Sequence, residues 1–137
     1  MPTTVQPLAD LLEPAPERKT GTISGTTVAA GPAYLLGPSN CGNGRQQISL
    51  NLGRLYSRVT ANIQQDDAAP PATRTKFTAT ADGNVVSSTV LEPRSGKSVD
   101  LDVTGRDILL LDLETAGQGT CTSDDYLVFL TSALAYP

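Results

Sequence analysis

Two pairs of adjacent carboxylates, Asp66-Asp67 and Asp124-Asp125, are the first residues in this chain whose type and spacing suggest chemistry. The first pair precedes AAPPAT, a stiff proline-containing stretch, and the second follows Cys121 in GTCTSDD. Carboxylates on loops accept hydrogen bonds from sugar hydroxyls, or add oxygens to a structural calcium ion, which takes about six to eight. The alternative for Asp66-Asp67 is that one caps a turn while the other is solvated. The cysteines Cys41 and Cys121 both sit among turn-forming polar residues. A bridge between them would close a loop worth roughly 4–5 kcal/mol in the chain-entropy account. It would also bring Asp124-Asp125 beside Asn40, Asn43 and Arg45, setting carboxylate, amide and guanidinium groups in one patch suited to hydroxyls. Two unrelated thiols, or a stapled loop without a ligand, are the alternatives. A sugar ring also needs an exposed aromatic face. Tyr56, beside Arg58, and Tyr126, after the second acidic pair, are the candidates for that role; the alternative is that each is a core residue at a strand end, its hydroxyl reaching solvent or a backbone group.

Composition removes other chemistries. The chain has no His, which excludes Ser-His-Asp and Cys-His nucleophiles, imidazole metal sites and histidine pH switches. Ten basic against fourteen acidic residues give a formal charge of −4, so binding driven by a nucleic-acid phosphate backbone is not expected. Gly25, Gly31 and Gly37 lack the Gly-Lys-Ser/Thr ending of a phosphate-cradling loop. Glycosidase chemistry needs two carboxylates held apart across a cleft, and acidic pairs in turns do not provide one. The chain therefore reads as a non-enzyme without a required cofactor, structural calcium being the one metal considered.

These residues must be positioned by strands. Ile48, Leu50 and Leu52 alternate with polar residues, as do Val59, Ala61 and Ile63, then Phe77, Ala79 and Ala81, then Val99, Leu101 and Val103. Period-two alternation describes strands with one face on a core and one on water. DILLLDLE (107–114) and YLVFL (126–130) are apolar on both faces and are expected to be central strands covered on both sides, or covered in part by the amino-terminal segment. Asp82-Gly83 is the strongest hairpin signal, and Gly53-Arg54, Gly96 and Gly105 mark further turns. Val5, Leu8, Leu11 and Leu12 have helix-like spacing, but Pro7 and Pro14 limit any helix there to a turn or two. Around eight strands without a long helix predict an antiparallel β-sandwich, with residues 1–20 as a leader packing on a single domain, 21–137.

Three runs in order carry a resemblance: LNLGRLYSRVTANIQQDD, TKFTATADGNVVSSTVL and KSVDLDVTGRDILLLDLETAGQG. With PLADLLEP and ISGTTVAAGPAYL upstream, they resemble the NPCBM family of bacterial carbohydrate-binding modules across nearly the whole chain. The resemblance implies a galactose-binding-like jelly roll with a ligand site in the loops at one end, appended to glycoside hydrolases or other secreted or surface proteins. Two positions depart from the family pattern. Gln64 follows Ile63 where the family has Gly, and Phe129 stands where Trp is frequent in the last strand.

The expected function is weak, non-catalytic binding of a glycan or cell-envelope polysaccharide. The alternative is a structural or sensory module that contacts a protein partner or a neighbouring domain. MPTTVQPLADLLEP has no basic segment leading an apolar one, and no run approaches the roughly 20 apolar residues of a membrane span. With a Cys41–Cys121 bridge, this suggests a domain excised from a longer extracellular or cell-surface protein; with reduced cysteines, a cytoplasmic one.

Overall fold

The alternation written in the sequence becomes inward and outward faces in two antiparallel sheets laid face to face. The computed structural model describes residues 4–13, 15–23, 25–36, 45–67, 74–92, 96–115 and 126–137. One sheet runs in the order β3 (Glu17–Ile23), β4 (Thr26–Leu36), β11 (Tyr126–Tyr136), β6 (Arg58–Gln65) and β9 (Gly96–Asp102). Its sixth strand, β1 (Gln6–Pro7), pairs with the last residues of β11, Gln6 opposite Ala135. The five-stranded sheet runs β2 (Leu12–Glu13), β5 (Arg45–Asn51), β10 (Ile108–Thr115), β7 (Thr75–Ala81) and β8 (Asn84–Leu91).

The core lies between the sheets. Ile48, Leu50, Phe77, Leu109 and Leu113 from one sheet meet Val59, Ile63, Leu101, Val128 and Leu130 from the other. The helix-like spacing near the amino terminus becomes a single 3-10 turn, Leu8–Asp10, between two-residue strands. Leu8 and Leu12 are fully buried there, so this segment plugs the core. The 20/21 boundary of the expected leader falls inside β3, an exposed edge strand whose polar ERKTGT gave no apolar alternation to read.

Two expectations about apolar strands separate. β10 is central in its sheet, yet Ile108 and Leu110 are 47% and 48% exposed, so its outer face is open rather than covered. β11 is covered on both faces at Phe129, which has no exposure and lies outside the inter-sheet core. The cover is the β3–β4 ribbon. A Cβ on Gly21 would fall 2.8 Å from the Phe129 ring and one on Gly31 would fall 3.1 Å away, so both strands cross the ring without side chains.

The Asp-Gly turn forms as expected. Asp82 and Gly83 have φ of 48° and 87°, the two left-handed residues of a type I′ hairpin. The Asp82 carboxylate accepts the Asp107 and Ile108 N–H groups at 3.1 and 3.0 Å, tying this turn to the start of β10. A bulge beside the turn, where the partner of Val85 is Thr80 but the partner of Ser87 is Ala79, distorts the edge strand β8.

Strand directions sort the connections. The segments joining β4 to β5, β6 to β7, β8 to β9 and β10 to β11 all cross from sheet to sheet at the same end. The opposite end holds the β5–β6, β7–β8 and β9–β10 turns. Pro137 is there too, its carbonyl accepting the Ser57 hydroxyl at 3.0 Å.

Candidate functional site

Beneath the end that carries the four connections lies a buried line of polar side chains. Gln65 ends β6, Thr75 starts β7, Thr115 ends β10 and Tyr126 starts β11, and all four are at most 5% exposed. The Thr75 hydroxyl donates to Gln65 Oε1 at 2.6 Å. Having given its only proton there, Thr75 accepts from the Tyr126 hydroxyl at 2.8 Å. Tyr126 in turn accepts from Thr115 at 2.9 Å, and Gln65 Nε2 donates to the Glu92 carbonyl at 3.3 Å. Donor direction is thus fixed along the line, from Thr115 to the β8 terminus. Burial pushes the Tyr126 hydroxyl pKa up, partly opposed by its hydrogen bonds to Thr115 and Thr75, which keeps the phenol neutral. Among the described residues no buried side-chain polar atom lacks a partner. Arg74 and Glu92 form an ion pair at 2.9 Å on the same rim.

Asp66 and Asp67 follow Gln65 and fasten the end of β6 to the main chain of β11 and of the β3–β4 ribbon. Asp66 is 5% exposed. Its N–H donates to the Leu127 carbonyl at 3.0 Å, and its Oδ1 accepts the Leu127 N–H at 3.2 Å. The Asp67 N–H donates to the Thr22 carbonyl at 2.7 Å, and its Oδ2 accepts the Gly25 N–H at 3.0 Å. The pair clasps the β3–β4 tip down onto β6 and thereby roofs Phe129. Both carboxylates accept main-chain N–H groups, where the sequence offered a turn cap and a solvated partner. Among the described residues, no group of three or more Cys, Asp or Glu side chains could hold a metal ion.

The other candidates divide. Arg45 lies at the same end, on the outer face of the five-stranded sheet, where its Nε and Nη2 fork onto Asp112 at 3.1 and 2.5 Å. Tyr126 points into the core and offers no ring face to solvent, because position 126 has the same inward parity as Val128 and Leu130. Tyr56 is also in the core, 8% exposed. Arg58 opens β6 at the opposite end, eight residues and roughly 26 Å from Asp66 at about 3.3 Å per residue. There it pairs with Asp100 at 2.7 Å and stacks 5.2 Å from the centre of the Tyr136 ring. Tyr56 and Arg58 therefore do not join the acidic pair. Asn40, Cys41, Asn43, Cys121, Asp124 and Asp125 lie outside the described residues, in the β4–β5 and β10–β11 connections. Sequence reading missed Gln65, Thr75 and Thr115, since isolated polar residues at strand ends look the same whether they face solvent or each other. It also missed Asp112, hidden in the apolar run DILLLDLE.

Comparison with known proteins gives a consistent result. A family model described as the NPCBM/NEW2 domain matches residues 20–134. A Clostridium perfringens CBM51 module from a GH95 protein, solved with methyl-galactose, is similar at 15% identity and a TM-score of 0.58; the match covers 98% of this chain and 89% of that one. A C. perfringens ZmpB structure that holds the M60 catalytic domain with the CBM51-1 and CBM51-2 domains contains a match at 22% identity and a TM-score of 0.62. That match covers 97% of this chain but 13% of the longer one. The CBM51-2 and INT domains of ZmpB, solved with GlcNAc, match at 16% identity and a TM-score of 0.61, covering 99% of this chain and 28% of that one. At these identities the likeness is one of fold: a galactose-binding-like β-sandwich. No curated protein matches the chain.

Proposed function

Because the chain belongs to the NPCBM/NEW2 domain family, whose model matches residues 20–134, we propose that it is a non-catalytic glycan-binding module. Its ligand end is the one from which the four sheet-to-sheet connections leave. The observation that carries this reading is that the strand ends these connections join meet at a fully bonded polar floor, Gln65, Thr75, Thr115 and Tyr126. A floor held by directional bonds keeps four strand ends in fixed relation, which a set of recognition loops requires. Asn40, Asn43, Arg45, Asp124 and Asp125 are the groups assigned to sugar hydroxyls, with Cys41 and Cys121 bridging the two connections. Two reactive thiols in oxidatively prepared, denatured protein would overturn the bridge. The setting is extracytoplasmic, within a longer secreted or surface-attached polypeptide, where the ligand is a cell-surface or cell-envelope glycan. The structural relatives solved with methyl-galactose and GlcNAc support a small neutral hexose as the unit recognised.

Isothermal titration against galactosides, N-acetylglucosamine-containing glycans and envelope polysaccharides tests the reading. Binding in the millimolar to micromolar range is expected for at least one. Silence across the whole panel would overturn it. The second reading, a module that contacts a protein or neighbouring domain, draws on one observation. Tyr34, Tyr56, Phe77, Tyr126 and Phe129 are all buried, so none of these rings is a sugar platform. Silence toward glycans combined with cross-linking to flanking polypeptide would favour this second reading.

A further inference from the structure

The outer face of the five-stranded sheet carries a concavity that shares Arg45 alone with the groups assigned at the connections. It has a volume of about 300 Å³ and is lined by Arg45 and Gln47 of β5, Leu110 and Asp112 of β10, and Thr78 and Thr80 of β7. Strand register explains why these six meet. Asp112 lies opposite Gln47 on one side and Thr78 on the other, while Leu110 lies opposite Thr80. All of these positions have outward parity, since their sequence neighbours Ile48, Ala79, Leu109, Leu111 and Leu113 are in the core.

The chemistry of the lining is specific. Arg45 grips Asp112 through three contacts, Nε to both carboxylate oxygens at 3.1 and 3.2 Å and Nη2 to Oδ2 at 2.5 Å. This fork holds donor and acceptor in one plane and leaves further guanidinium N–H groups and carboxylate lone pairs in fixed directions. Their side chains remain 56% and 24% exposed, so a ligand can reach both. Gln47 adds an amide that donates and accepts, and the two threonine hydroxyls can do either. Charge balances around the concavity itself, where Arg45 is matched by Asp112 and Lys76 lies opposite Glu114; Glu13 of the edge strand β2, opposite Ser49, leaves the whole face with one extra negative charge. Such a set does not favour an anion or a cation over a neutral molecule. It suits adjacent hydroxyls, each of which donates once and accepts. Leu110, 48% exposed, supplies an aliphatic floor for the C–H face of a ring.

We propose that this face is a second glycan-contact surface, taking a stretch of neutral polysaccharide chain across β5, β10 and β7. The ligand class rests on the reading of the molecule as a glycan-binding module, but the location does not depend on the end connections. A volume at the lower limit of ligand sites, about 300 Å³, accommodates one or two sugar rings at a time. With no aromatic platform in the lining, affinity should come from several rings rather than one.

The test is an amide-shift titration of the intact, isotopically labelled chain with methyl galactoside, neutral linear hexasaccharides (cellohexaose, xylohexaose and mannohexaose) and hexagalacturonic acid. At least one neutral hexasaccharide should move the amides of Gln47, Thr78, Thr80, Leu110 and Asp112. Affinity read at these amides should fall at least fivefold in Gln47→Ala/Thr78→Val, with the thermal midpoint and the remaining spectrum unchanged. Asp112→Asn, which keeps the shape and unbalances the charge, should weaken the same shifts. Shifts confined to the end of the sandwich, around Gln65 and Tyr126, would overturn this proposal and leave the glycan-binding function standing. Shifts on the face alone would support it and move the ligand away from the end. Tighter binding of the polyuronate than of every neutral chain would overturn the neutral assignment, and silence everywhere would overturn both readings.

Discussion

Tyr126 shows how one hydroxyl organises the end of the sandwich. It accepts a hydrogen bond from the Thr115 hydroxyl and donates one to Thr75, so three strands are connected through a single phenol. Replacing it by phenylalanine keeps the ring in the core but breaks two buried hydrogen bonds, and should destabilise the fold by about 1–3 kcal/mol. Urea denaturation with an unchanged m-value would show this; a loss under a few tenths would refute these bonds. Two exposed aspartates act at the other end. Hydrogen bonds from the Ile108 and Asp107 N–H groups hold the Asp82 carboxyl below its usual range, and the Thr104 N–H and hydroxyl do the same for Asp102. The folded state therefore binds fewer protons than the unfolded chain at acidic pH. Their contribution to stability is full above about pH 4 and is lost as pH falls through the lowered folded-state values. The acid limb of thermal midpoint against pH should be flatter in Asp82→Asn/Asp102→Asn. An unchanged limb would count against these two groups.

Among the elements, the β3–β4 ribbon is the one whose shape depends on missing side chains. Gly21 and Gly31 let it cross Phe129, while Asp67 holds its tip at Thr22 and Gly25. Gly21→Ala would force a Cβ to within 2.8 Å of the ring and should destabilise by roughly 1–3 kcal/mol through overpacking. Phe129→Leu, by shrinking the obstacle, should make the same glycine change less harmful. A double-mutant cycle measures that coupling, and strict additivity would show that ribbon and ring do not press on each other. This element also marks where sequence reading stops. Alternation in 47–52, 58–63 and 76–81 disclosed β5, β6 and β7, because each buries one face only, and Asp82-Gly83 disclosed its turn because few residues tolerate two positive φ values. β3 was illegible: an edge strand exposed along most of its length needs no apolar partner. Apolar runs misled in the other direction. Ile108 and Leu110 looked like a second buried face, but among the described residues they are about half exposed. For the candidate site, Asp66-Asp67 was visible as an acidic pair, while its partners, the Leu127 and Gly25 N–H groups, are distant in sequence and leave no residue-type signal.

At the scale of the whole molecule, the two ends of the sandwich differ in composition of bonds. One is closed by main-chain hydrogen bonds among the β5–β6 and β9–β10 turns, such as Leu52 N–H to the Asp107 carbonyl at 2.7 Å. At the other end main-chain bonds from the Asp66 and Asp67 N–H groups are joined by their clasping carboxylates and by the buried threonine–tyrosine line. Because these carboxylates already serve main-chain N–H groups, a chelator should change neither the melting temperature nor glycan affinity. A drop in either after dialysis against EDTA would require a metal in the fold. The pairing of Gln6 with Ala135 and the bond from Ser57 to Pro137 add a consequence for how such a body can be carried. Gln6 and Pro137 adjoin at one pole, so a tether continuing from either would pull from that single side. The module would then hang as a pendant, its far pole unobstructed and aimed away from whatever bears it.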